Sequence, residues 1–97
     1  MRKIINAGDP IEIIHFDPAI RTLLLQASNV NVGTIYLGFS KDQAIAGDCA
    51  WELNAGDWLI LDDYIGYIWA SADKDGQILN GGWYTRFQPM DITLRRR

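Results

Sequence analysis

The sequence predicts an all-β protein, either an antiparallel β-sandwich or a jelly-roll-like small barrel of about seven to nine short strands. Three observations carry that reading. Isoleucine is the commonest residue with 13 occurrences, whereas Glu appears twice and Lys three times. β-Branched side chains suit a pleated sheet, and the residues that usually fill exposed helix positions are scarce. Ten of the 12 acidic residues are Asp, which favours turns over helix interiors. Finally, short alternating runs recur with turn signals about every 8–12 residues, and no segment sustains a helical period. A parallel sheet with crossover helices needs longer connections than 97 residues can provide.

The elements follow from alternation. Ile11, Ile13 and His15 share one face of a first run and Glu12, Ile14 and Phe16 the other, until Asp17-Pro18 breaks it. Arg21 to Ala27 places Leu23, Leu25 and Ala27 together. Ser28 to Gly33 reads as a loop before Thr34 to Ser40, where Ile35, Leu37 and Phe39 line the inner face. Ala50 to Leu53 is a short strand ending at the turn Asn54-Ala55-Gly56-Asp57, and Trp58 to Leu61 follows, stopped by Asp62-Asp63. Ile65 to Ala72 comes next, closed by Asp73-Lys74-Asp75-Gly76, whose Asp-Gly pair favours a tight reversal. Asn80-Gly81-Gly82 precedes a strand from Trp83 to Gln88, Pro89 ends it, and Asp91 to Leu94 is the last. The whole is expected to be one β domain over residues 1–97. Residues 1–10 are read as an N-terminal arm reaching a neighbouring subunit, and residues 95–97 as a basic tip.

Composition excludes several classes. Apolar residues at 48% and charged residues at 22% are ordinary for a globular domain and argue against disorder. A net charge of −3 argues against a nucleic-acid binder that works through its whole surface. Three of the nine basic residues are Arg95, Arg96 and Arg97, so an acidic body carries a cationic tip, which is either a solvated chain end or a group seeking an acidic surface. The single cysteine, Cys49, excludes an internal disulfide and a multi-cysteine zinc site, and reads as a buried, inert thiol. The first apolar run is too short for a signal peptide. Residues 22–40 carry no charge, but Gln26, Ser28, Asn29, Asn31, Gly33, Gly38 and Ser40 interrupt them too often for a membrane span. A chain made in a reducing cytoplasm is expected.

Catalytic patterns are equally thin. His15 is the single histidine, and a triad would need it beside Ser28, Ser40 or Ser71 and an Asp. Gly38-Phe39-Ser40-Lys41-Asp42 is like a nucleophile elbow but has Asp42 where the second glycine belongs. The start of a calcium loop at Ser71 to Gly76 puts Gly82 where a bidentate Glu is required. The turn acids, Asp62-Asp63 included, read as solvated. No catalytic residue, cofactor or metal is expected. The aromatics are the best remaining feature: Tyr67 and Trp69 share a strand face, and Trp83 and Tyr84 open a later strand. Such a row suits a subunit contact or a sugar ring, although a core role is the commoner use of Trp69 and Trp83.

Four runs together carry a family resemblance: Arg21 to Asn29, Gly33 to Gly38, Leu53 to Trp58 and Tyr67 to Ala72. They resemble a pattern of small tailed-phage virion proteins, with an LLQ-A/N-S strand, a V/I-Y-L/I-G strand, an L-x-x-G-D/E turn and an I-Y/W-A strand. The resemblance spans residues 20–72 and implies a β-sandwich that decorates or cements a capsid, or forms a fibre base, often as a homotrimer. Its expected partners are the major capsid protein or other virion subunits, with neither nucleic acid nor membrane, and its location is the virion. The expected function is therefore a non-enzymatic capsid decoration protein. Tyr67, Trp69, Trp83, Tyr84, Arg95, Arg96 and Arg97 are its candidate interface residues. The L-x-x-G-D turn is also similar to that of cupin barrels, whose two histidines and Glu have no counterpart here. The alternatives are a carbohydrate-binding module, a receptor-binding β domain and, third, a metal-free cupin-like protein.

Overall fold

A computed structural model describes residues 1–15, 20–64 and 66–85, with the backbone alone for Tyr84 and Thr85. The described chain holds eight strands: β1 (Arg2–Ile5), β2 (Ile11–Ile14), β3 (Ile20–Ala27), β4 (Ile35–Gly38), β5 (Trp51–Leu53), β6 (Trp58–Asp62), β7 (Ile68–Ala72) and β8 (Gln77–Thr85). One 3-10 turn, Lys41–Gln43, sits between β4 and β5.

The pairing has a simple rule. β1 pairs with β8, β2 with β7, β3 with β6 and β4 with β5, all antiparallel, as if one long hairpin had been folded with its apex between β4 and β5. Rolling that hairpin brings β3 against β8 and β4 against β7. The result is two four-stranded sheets, β1-β8-β3-β6 and β2-β7-β4-β5. This is jelly-roll connectivity, and it bears out the expected all-β sandwich. Only the β4–β5 connection joins neighbours within a sheet; every other connection crosses from one sheet to the other.

Alternation sets the core. Leu23, Leu25 and Ala27 of β3 are fully buried, as are Ile35 and Leu37 of β4, Ile68 and Ala70 of β7, Leu79 of β8 and Ile5 of β1. These side chains meet between the two sheets. Phe39, expected to continue the inner face of β4, lies beyond the strand's end and is 48% exposed. Lys3 stands at an inward register position opposite Leu79 on edge strand β1, yet is exposed. An inward charge on an edge strand discourages edge-to-edge pairing with another sheet.

Three expectations change. Residues 2–5, read as part of an arm, pair with β8 of their own chain. β8 begins at Gln77, six residues before the expected start, because β3 supplies a ladder for Asn80, Gly81 and Gly82 that their local turn preference does not foresee. The reversal at Asp73 to Gly76 does not close a hairpin; it carries the chain from one sheet to the other. The strand expected at Asp91 to Leu94 lies outside the described residues.

The crossing loops must satisfy their backbone without a ladder, and side chains do it. Gln77 is 2% exposed; its Oε1 accepts from the N–H groups of Val32 (3.0 Å) and Gly33 (2.8 Å), and its Nε2 donates to the Asp75 carbonyl (3.0 Å). Asn31 acts as an extra strand residue beside Ile78, accepting from its N–H at 2.7 Å and donating to its carbonyl at 2.9 Å. The turn acids Asp73 and Asp75 are exposed, as expected, and also serve the backbone: Asp73 accepts from Thr34 N–H at 2.7 Å and Asp75 from Ala7 N–H at 2.9 Å. Replacing Gln77 by Leu would keep the volume and strip both loop N–H groups of their acceptor. Such a loss costs about 1–3 kcal/mol per unpaired group. The variant Gln77→Leu should therefore unfold at clearly lower denaturant with an unchanged slope, and an unchanged midpoint would show that the loop does not need the clamp.

Candidate functional site

The two outer faces of the sandwich differ. On the β2-β7-β4-β5 sheet, outward positions include Glu12, Trp69, Gly38, Tyr36, Ser71 and Glu52. The 3-10 turn packs down on this face: a Cβ at Gly38 would sit 2.6 Å from the backbone of Gln43. Buried Ser71 donates its hydroxyl to the Ala44 carbonyl from beneath. Beside this cover lies an open cleft of about 280 Å³, lined by Ala7, Gly8, Tyr36, Ile45, Ala46, Ser71, Ala72 and Asp73.

The β1-β8-β3-β6 sheet has no such cover among the described residues. Register places its outward side chains in rows. One row runs Arg2, Asn80, Gln26, Trp58; the next runs Gly82, Leu24, Ile60; a third holds Ile4 beside Ile78. Trp58 is 62% exposed, Ile60 58% and Ile4 52%, with Leu24 and Ile78 half-buried beside them. Gly82 leaves open space on this face, since a Cβ there would meet nothing within 4 Å. β6 therefore buries Leu59 and Leu61 partly against the core while presenting Trp58 and Ile60 outward. A sheet that is apolar on both faces has one more hydrophobic face than its own core can use.

One end of the sandwich is rich in aromatic rings. Phe39 packs edge-on against Trp51 at 5.3 Å and stacks with Tyr64 at 6.4 Å; the Tyr64 hydroxyl donates to the Tyr67 carbonyl at 2.7 Å. His15 lies edge-on to Tyr67 at 5.1 Å, and its Nδ1 is 2.9 Å from Glu12 Oε1, an exposed pair of little energetic weight.

The candidate interface residues do not form one row. Tyr67 is 42% exposed at the aromatic end. Trp69 is half-buried on the outer face of its sheet, opposite Glu12 and Gly38. Trp83 belongs to the other sheet; it stands at an inward register position opposite Leu23 but is 44% exposed, so it is not core. Tyr84 is placed by its backbone opposite Thr22. The Tyr84 side chain and Arg95, Arg96 and Arg97 lie outside what the structure describes. Trp58, Ile60 and Ile4 were missed, although apolar residues at four consecutive positions of β6 already left two without a place in a one-sided core.

Chemistry at these surfaces is modest. Among the described residues no group of three His, Cys, Asp or Glu side chains could hold a metal ion, and no helix is long and apolar enough to cross a membrane. Partial burial raises the Cys49 thiol above its ordinary value, with the Glu52 carboxylate adding to it, which suits an inert thiol. Burial also raises the Tyr36 and Tyr64 phenols, Tyr36 further through Asp73 and Glu52. No protein-family model matches the chain, and no curated protein or solved structure is significantly similar to it.

Each of these three groups keeps its proton to higher pH when folded than when unfolded. Their contribution is complete below the ordinary thiol and phenol values of 9.0 and 10.0 and is lost as pH rises through the raised folded values. Thermal melts should accordingly fall in midpoint across the alkaline range, and Tyr36→Phe should shallow that fall. A Tyr36→Phe variant with the wild-type slope would remove Tyr36 from this account.

Proposed function

We propose that this protein is a virion structural subunit of the capsid-decoration type, a passive component whose work is done by surface contacts. The observation that carries this reading is the outer face of the β1-β8-β3-β6 sheet, which no described residue covers and where Trp58, Ile60 and Ile4 are each more than half exposed. Exposed patches of this kind on a folded domain mark contact surfaces. Support also comes from the jelly-roll connectivity, which viral capsid, lectin and cupin domains share. The fold by itself does not choose among those three. The choice rests on the sequence resemblance together with the exposed apolar side chains of the face, which suit a protein partner better than a small ligand. Neither nucleic acid nor membrane is required.

The aromatic end favours a second reading, a carbohydrate- or receptor-binding β domain, because exposed Tyr67 and Phe39 there could stack on a sugar ring.

The test is direct. Phage heads assembled without this protein, from the genome that encodes it, should bind the purified chain at a fixed ratio in a density gradient, and the flanking genes should encode capsid or portal components. Heads that fail to bind it, with saturable glycan binding that Tyr67→Ala abolishes, would replace the first reading by the second.

A further inference from the structure

We propose that the outer face of the β1-β8-β3-β6 sheet pairs with the same face of a second copy of this chain, about a two-fold axis parallel to the strands. The inference rests on the assembly reading above and names the occupant of its exposed face. A two-fold axis along the middle of the sheet, between β8 and β3, lays β1 over β6 of the second copy and β8 over its β3. Each residue keeps its height along the strand. The row Arg2, Asn80, Gln26, Trp58 then meets itself reversed. The Arg2 guanidinium faces the indole of Trp58 in the other copy, a cation–π arrangement, and Asn80 faces Gln26, an amide pair. In the next row Leu24 faces Gly82, where the missing Cβ leaves open space for the opposing side chain.

Charge points to the same occupant. On the outer face Arg2 stands on the β1 edge and Asp62 on the β6 edge. A face that runs from cationic to anionic across its width is complementary to itself when reversed, and a partner of uniform charge would be repelled at one edge. Size fits too. Four strands about 4.8 Å apart and about 20 Å long give roughly 400 Å² of footprint, which side-chain relief raises to about 600 Å² per copy. About 1,200 Å² in total is the lower end of a specific interface, so the pairing should depend on concentration. An isologous two-fold contact closes at two copies, instead of the three that the sequence resemblance implies.

Sedimentation equilibrium on the full chain tests this. Expected is a particle of twice 11.0 kDa at high micromolar concentration that dissociates on dilution. Trp58→Asp and Gly82→Val should each weaken the pairing by about tenfold or more, because Trp58 is the aromatic partner of Arg2 and Gly82 is where Leu24 of the second copy packs. Both positions point away from the core, so circular dichroism and melting of the monomer should be unchanged, and should one variant fail to fold the other still decides. A mass of 11.0 kDa throughout, a three-copy particle, or a pair that survives both substitutions would overturn the proposal. A chain that stays monomeric yet binds phage heads overturns the pairing and leaves the functional reading standing; a pair that binds no head does the reverse.

Discussion

Gln77 carries the constraint on which the rest depends. A chain that changes sheets at nearly every connection must take its backbone through regions with no strand partner, and a buried N–H without an acceptor is expensive. The amide of Gln77 reaches into the Val32–Gly33 crossing and holds it against the start of β8. Asn31 and Asp73 complete the same junction at Ile78 and Thr34. With that junction fixed, β3 and β4 are set in opposite sheets and Leu25 and Leu37 can share one interior. Polar side chains thus decide where the apolar ones meet.

Folding a hairpin on itself explains the distribution of surfaces. The outer face of one sheet lies beneath the chain between β4 and β5, the apex of the rolled hairpin, which packs closely enough that only glycine fits at Gly38. The opposite sheet receives no equivalent cover among the described residues, and its outward side chains include Trp58, Ile60 and Ile4. The asymmetry comes from one long connection in a molecule of short ones. It gives the protein one covered side and one side whose described apolar side chains are exposed.

Much of the fold was legible in the sequence because the side-chain period of a strand is two. Leu23, Leu25 and Ala27, then Ile35 and Leu37, could be assigned to the core by counting, and all five are fully buried. Where the reading failed, a longer-range partner overrode a local preference. Asn80-Gly81-Gly82 looks like a turn, but β3 runs beside it and supplies its ladder. Asp73 and Asp75 are exposed, as expected of turn acids, and what alternation could not foresee is that each also accepts an N–H from a crossing segment.

Composition and alternation therefore determined that this chain is all-β, with short antiparallel strands and these particular inward residues, since both depend on neighbours along the chain. Which strands share a sheet, and hence that Tyr67 and Trp69 are separated from Trp83 while Trp58, Ile60 and Ile4 fall on one outer face, was decided only by the tertiary structure. The reason is physical: alternation says that a side chain lies on one face or the other, but whether that face meets an opposing sheet, a covering loop or solvent depends on segments distant in sequence.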